Sequence, residues 1–229
     1  MSSLGKYIVL EGGDGTGKST QIKEMQSRLN GLGIKSIAIH EPDGFSGDES
    51  LGIPAVMADT ELTKIIKNDM INRDSWSNVL LFTAARRMNW LQAMKPALDS
   101  GVWVLAARSW ISTIAYQGYG EGVEPELIRH RTIEDVCQRY TEPDLALILT
   151  MDDEVSRQHR IDERGQLANA DTFESKPAQF QHAVLDGYLA VAEQYNLQTI
   201  DASQPLASVT EQIWEAIKPL TQTTSSSDS

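Results

Sequence analysis

The chain predicts an α/β fold of three layers, a five-stranded parallel sheet flanked by helices. Three observations carry this expectation. Short apolar runs recur along the chain, helical apolar spacing fills the stretches between them, and a glycine-rich turn joins the first run to the first helical stretch. Strands alternating with helices imply right-handed crossovers, which make the sheet mainly parallel and cover both its faces.

The first run, Tyr7–Glu11, reads as a buried strand. The helix after it carries Ile22, Met25 and Leu29 at three- and four-residue spacing, and Gly33 sits where a C-terminal cap belongs. Ser36–His40 is the second strand. Leu80–Arg87 lies in a long helical pattern running to about Lys95, and Gly101 punctuates the step into the strand Trp103–Ala107. Ile133–Cys137 reads as helical, which makes Cys137 a buried structural thiol. Leu145–Thr150 and Leu197–Ile200 complete the sheet. Thr221–Ser229 is polar and Ser-rich, so a disordered tail is expected behind a single domain spanning 1–220.

With 229 residues and 41% hydrophobic content, one domain with a proper core is the natural expectation. No stretch is long enough to span a bilayer, and the N-terminus lacks a charged-then-apolar signal with a cleavage site. The lone Cys137 excludes an internal disulfide and fits a reducing compartment, so a cytoplasmic location is expected. A formal charge of −12 argues against a nucleic acid polymer as partner, because binding its backbone needs a basic surface. A small phosphate ligand is still allowed, since a locally basic cleft can exist on an acidic protein.

Gly12-Gly13-Asp14-Gly15-Thr16-Gly17-Lys18-Ser19 fits G-x-x-x-x-G-K-[ST] in full, between a strand and a helix as that motif requires. The glycines let the backbone turn its N–H groups inward onto phosphate oxygens. Lys18 reaches the β- and γ-phosphates, and the Ser19 hydroxyl is placed to ligate Mg²⁺. The helix N-terminus adds donors and a positive dipole. A nucleoside triphosphate is the expected ligand, with Lys18 exposed in the empty site. No Asn-Lys pair occurs, which removes the base-recognition motif of GTPases, and the chain is short for a transporter ATPase or helicase. A compact kinase of a small acceptor remains.

Phe82 and Arg86, four apart, project from one helical face. A ring beside a guanidinium suits a nucleotide acceptor, although taken alone the pair reads more readily as a core Phe beside a solvated Arg. Arg108–Gly118 follows the C-terminal end of a strand, where open α/β sheets place ligands. There Gln117 offers a donor and an acceptor for a base edge, and Arg108 a charge for a transferring phosphate. Arg157, Arg160 and Arg164 stack along one helical face before Gly165, as a mobile lid or as a solvated face balanced by Asp162 and Glu163.

Together these segments resemble the thymidylate kinase family from about Lys6 to Lys218. The resemblance rests on Tyr7–Thr20 with its acidic Asp14, on Leu80–Arg86, on Ser112–Gly118 and on Pro143–Leu145. The late Phe180–Leu189 pattern adds to it. It implies that Gly12 to Thr20 bind ATP, with Lys18 on its phosphates and Ser19 helping to hold Mg²⁺. Asp14 would accept from the acceptor sugar's 3′-hydroxyl. Phe82 would stack on thymine, Arg86 and Gln117 would read its edge, and Arg108 would bind the acceptor phosphate. Ser112 and Tyr116 join this acceptor segment. Arg160 and Arg164, in a lid over 157–172, would neutralise the transferring phosphoryl, since the loop carries Gly15 rather than an arginine. A homodimer is also implied.

The chain departs from the family in places. Ala107-Arg108 stands where the family has Asp-Arg, which removes a carboxylate beside metal and phosphates. His40-Glu41-Pro42-Asp43-Gly44-Phe45 replaces Arg-Glu-Pro-Gly-Gly-Thr, so Phe45 is expected to reshape the acceptor pocket. The lid lacks the usual Asp-Arg step after its glycine. The expected activity is ATP-dependent phosphorylation of a deoxypyrimidine monophosphate, foremost dTMP to dTDP. Two alternatives stay open: a kinase of a 5-modified deoxyuridine monophosphate, and a nucleotide-binding protein with little catalysis.

Overall fold

The structure, a computed structural model, describes residues 4–56, 60–68, 70–152, 173 and 176–222. Five strands, β1 (Tyr7–Gly12), β2 (Ser36–His40), β3 (Trp103–Ala107), β4 (Leu145–Thr150) and β5 (Gln198–Asp201), form one sheet in the order β2-β3-β1-β4-β5. Every pairing is parallel, as the alternation of strands and helices predicts. β1 is central, and every one of its residues is buried.

Its side chains alternate between two cores. Ile8 and Leu10 face the helices Lys18–Gly31 (α1) and Leu206–Gln222, where Ile22, Met25, Leu29, Val209, Ile213 and Ile217 fill one layer. Tyr7 and Val9 face the opposite layer, with Val79, Ile111, Ile114, Val184 and Tyr188. A strand covered on both faces has no polar side, so its sequence is an unbroken apolar run. The one exception in β1 is Glu11, fully buried at the C-terminal end of the sheet.

The helix carrying Phe82 and Arg86 spans Ser75–Asn89 and is capped by Asp74, whose carboxylate accepts from Ser77 N at 2.9 Å. It does not stop near Lys95. A π-helical turn, Trp90–Met94, carries it into Lys95–Asp99. Pro96 lacks an N–H and crowds the preceding turn, and the widened turn just before it absorbs that misfit. Gly33 and Gly101 have φ of 75° and 82°, the left-handed conformation expected just past a helix end.

Three local expectations are corrected. β5 begins at Gln198 rather than Leu197. Cys137 is half-buried between the helices Pro125–Asp135 and Gln138–Thr141, not inside a helix, because the chain turns at Val136. The last helix runs through Thr221 and Gln222, since its apolar face still holds Leu220 against the core. Residues 223–229 lie outside the described residues.

Candidate active site

The loop after β1 is built on glycine. Gly12, Gly15 and Gly17 have φ of 136°, 85° and 87°, and a Cβ on Gly12 would run into the Leu149 carbonyl of β4. Thr16 ties the turn by donating to Gly13 O at 2.9 Å. Lys18 is not exposed as expected. It is buried, with Nζ donating to Gly12 O at 3.0 Å and Gly13 O at 2.8 Å, because the loop curls its carbonyls around the ammonium. Ser19 and Thr20 are exposed on the first turn of α1.

Asp14 and Arg108 meet across the mouth of the sheet as an ion pair. Tyr116 donates its hydroxyl to the other Asp14 oxygen at 2.9 Å. Burial pushes the Asp14 carboxyl up, but Arg108, Lys18 and Tyr116 together outweigh it and hold the group below the usual carboxylate value. Arg108 follows the last residue of β3 and has φ of 73°, strained for a residue with a side chain. Its N–H donates to Leu10 O at 3.0 Å. Its guanidinium donates to Ser112 Oγ at 3.3 Å and Tyr188 Oη at 3.1 Å, and lies 5.1 Å from the Tyr116 ring centre. Burial disfavours this charge, yet Asp14 and the surrounding phenols more than restore it.

Beneath this group lies Glu11, which accepts from Ser109 Oγ at 2.7 Å and Ser112 Oγ at 2.6 Å. The residue readings missed Glu11. A carboxylate inside an otherwise apolar parallel strand was the available signal, since such groups are buried only with partners.

A cavity opens beside Arg108, lined by Pro42, Phe82, Arg86, Tyr116, Gln117 and Phe173 among others. Arg86 is only 2% exposed, so it is not a solvated side chain. Nε donates to Glu41 at 2.8 Å, and Nη2 donates to Ser109 O at 2.9 Å and Thr113 Oγ1 at 2.6 Å. The guanidinium carbon lies 5.9 Å from the Phe82 ring centre. Two buried donors on this cavity, Arg86 Nη1 and Gln117 Nε2, have no hydrogen-bond partner among the described residues. Phe173 faces Phe82 with ring centres 6.2 Å apart and was also missed, because its neighbours in the site are distant in sequence.

Phe45 is corrected. It is bridged to Val56 and packed in the core, so the loop reaches the cavity through Glu41 and Pro42 instead. Arg157, Arg160 and Arg164 lie outside the described residues. Ala107 ends β3 beside Leu10 and His40.

A glycine-rich phosphate loop at the carboxyl end of a parallel sheet, next to a cavity lined by buried donors, defines a P-loop phosphotransferase of a small acceptor. The chain belongs to the thymidylate kinase family, which matches residues 10–213. It is 37% identical over 219 residues to a thymidylate kinase of Afipia carboxidovorans, covering 93% of this chain and 89% of that one. A thymidylate kinase of Synechococcus is 33% identical over 223 residues, with 95% and 99% covered. One of Prochlorococcus marinus is 33% identical over 220 residues, with 93% and 95% covered. The chain is thus an enzyme, a nucleoside monophosphate kinase. No helix among the described residues is long and apolar enough to cross a membrane.

Proposed function

We propose that the protein transfers the γ-phosphoryl of ATP to a deoxypyrimidine monophosphate, dTMP giving dTDP. The observation that carries this is the pair of buried donors, Arg86 Nη1 and Gln117 Nε2, unpartnered among the described residues, on a cavity bounded by the Phe82 ring. A buried donor without a partner is costly unless a ligand supplies the acceptor. The oxo-rich edge of thymine, stacked on Phe82, supplies such acceptors. Arg108 then takes the acceptor's phosphate, with Ser112 and Tyr116 around it, and Asp14 accepts from the 3′-hydroxyl.

The donor side is formed by the amides of Gly12–Thr20 and by Lys18, which exchanges loop carbonyls for phosphate oxygens. Among the described residues no group of three or more His, Cys, Asp or Glu forms a metal cage. The exposed Ser19 hydroxyl fits Mg²⁺, which characteristically takes few protein ligands and completes its shell with phosphates and water. When bound, the ion neutralises charge on the β- and γ-oxygens. The acceptor phosphate oxygen forms the new P–O bond as the bond to the ADP oxygen breaks, and ADP leaves with that electron pair. The protein's part is positioning and electrostatics. Arg160 and Arg164 in a lid over 157–172 complete this reading, as does a cytoplasmic homodimer. Trp76, Leu80 and Leu91, all exposed on one long helix, support the dimer.

Steady-state turnover of ATP with a panel of monophosphates tests the proposal. dTMP should exceed dGMP by on the order of 10⁴-fold, because a misfitting base leaves buried donors unpaired. A 3′-deoxy acceptor should be a poor substrate. Equal turnover of dTMP and dGMP rules out the pocket, and good turnover of the 3′-deoxy analogue rules out the role of Asp14.

A further inference from the structure

We propose that Tyr140 is a positioning residue for acceptor recognition, holding Glu41 and through it the Arg86 guanidinium that faces the cavity. The inference rests on that cavity being the acceptor's. Tyr140 sits in the short helix Gln138–Thr141, does not line the cavity, and is fully buried. Its hydroxyl donates to Glu41 Oε1, while Arg86 Nε donates to Glu41 Oε2 at 2.8 Å. The carboxylate is therefore gripped by one oxygen from each side.

The phenol ring cannot easily turn away. Its centre is 5.9 Å from that of Tyr7 and 6.0 Å from that of Trp90, the latter edge-on. A guanidinium is planar, so fixing Nε against Glu41 and Nη2 against Ser109 and Thr113 also fixes the direction of Nη1. Nη1 faces the cavity with no hydrogen-bond partner among the described residues. It can only donate, so it suits a pyrimidine with oxygen at ring position 4 and opposes one with an amino group there.

Without the Tyr140 hydroxyl, Glu41 Oε1 is buried with no donor. Burial already pushes the Glu41 carboxyl up against the pull of Arg86 and Tyr140, so the carboxylate turns or takes a proton. Either change releases Nε, and Nη1 loses its aim. The residue acts on base recognition at a distance, and ATP is untouched.

Tyr140→Phe keeps the ring and its packing. In the full-length enzyme the KM for dTMP should rise about tenfold, the effect of losing one hydrogen bond to a charged group. The preference for dTMP over dCMP should fall by a similar factor, with kcat at saturation and the KM for ATP within twofold. Glu41→Gln should also raise the KM for dTMP, and adding Tyr140→Phe to it should raise that KM no further. In the ligand-free protein, nitrogen NMR should show separate Arg86 Nη signals that broaden in Tyr140→Phe, as rotation about the Nε–Cζ bond quickens while the Nη2 contacts remain. A wild type that does not favour dTMP sinks the acceptor reading, while the Arg86 spectrum still decides the hold by Tyr140. An unchanged spectrum, additive effects with Glu41→Gln, or a lower melting temperature with unchanged KM overturns the inference.

Discussion

Ala107→Asp should raise turnover by about 10²–10³, the effect of one preorganised electrostatic group at a phosphoryl-transfer site. That is roughly 3–4 kcal/mol off the barrier, at about 1.36 kcal/mol per decade. Ala107 ends β3, 4% exposed, paired in register with Leu10 of β1 and His40 of β2. It belongs to the core layer that includes Ile22 of α1, the helix that begins at Lys18. Burial lowers the pKa of His40, Asp43 opposes it, and Lys23 and Lys18 lower it further. A new carboxylate would stand at the carboxyl end of β3, where it can orient a metal-bound water. The same burial makes the charge expensive to desolvate, so a lower melting temperature should accompany the faster rate. The KM for ATP should barely move, because the loop amides and Lys18 are unchanged. The assay is steady-state turnover of both forms with ATP, Mg²⁺ and dTMP. Rates within twofold of each other refute the reasoning.

Lys18→Ala should abolish phosphoryl transfer, and because Lys18 braces the Gly12 and Gly13 carbonyls it should also loosen the empty loop, seen as faster amide exchange; wild-type turnover would contradict both. Gly12→Ala should destabilise by about 3 kcal/mol or more, through strain at φ 136° and collision with the Leu149 carbonyl. A melting shift of only a degree or two would show that the loop adapts freely. Asp14 has a lowered folded pKa, so its stabilisation is complete above the ordinary 3.8 and fades as pH falls through the folded value. Asp14→Asn should be less stable than wild type near neutral pH, with the gap closing in acid; a gap in urea denaturation that ignores pH counts against the ion pair.

The sheet was legible because a parallel strand buried on both faces writes itself as an apolar run, as at Ile8–Leu10 and Leu147–Leu149. β5 was shifted by a residue because most of its positions are exposed and carry a weaker signal. The phosphate loop was legible because its glycines are forced by backbone conformation. Lys18 misled because the loop turns its own carbonyls onto the ammonium, which no motif encodes. Phe45 misled because a loop residue can point into the core as readily as into a cavity. Glu11, Phe173 and Tyr140 act through partners far away in sequence, Tyr140 meeting Glu41 across 99 positions. Only the fold brings such groups together.

Lys18 and Arg108 are both engaged within the protein, Lys18 on loop carbonyls and Arg108 on Asp14. Nucleotide capture is therefore a substitution, in which each phosphate displaces an incumbent oxygen instead of meeting a bare charge. The bound complex then depends little on ionic strength, since ligand and incumbent offer similar negative atoms at similar depth. The approach is different. A molecule carrying −12 repels anionic nucleotides until counterions screen it. Added salt should quicken arrival while leaving departure nearly untouched, the reverse of what a basic cleft on a basic protein would show.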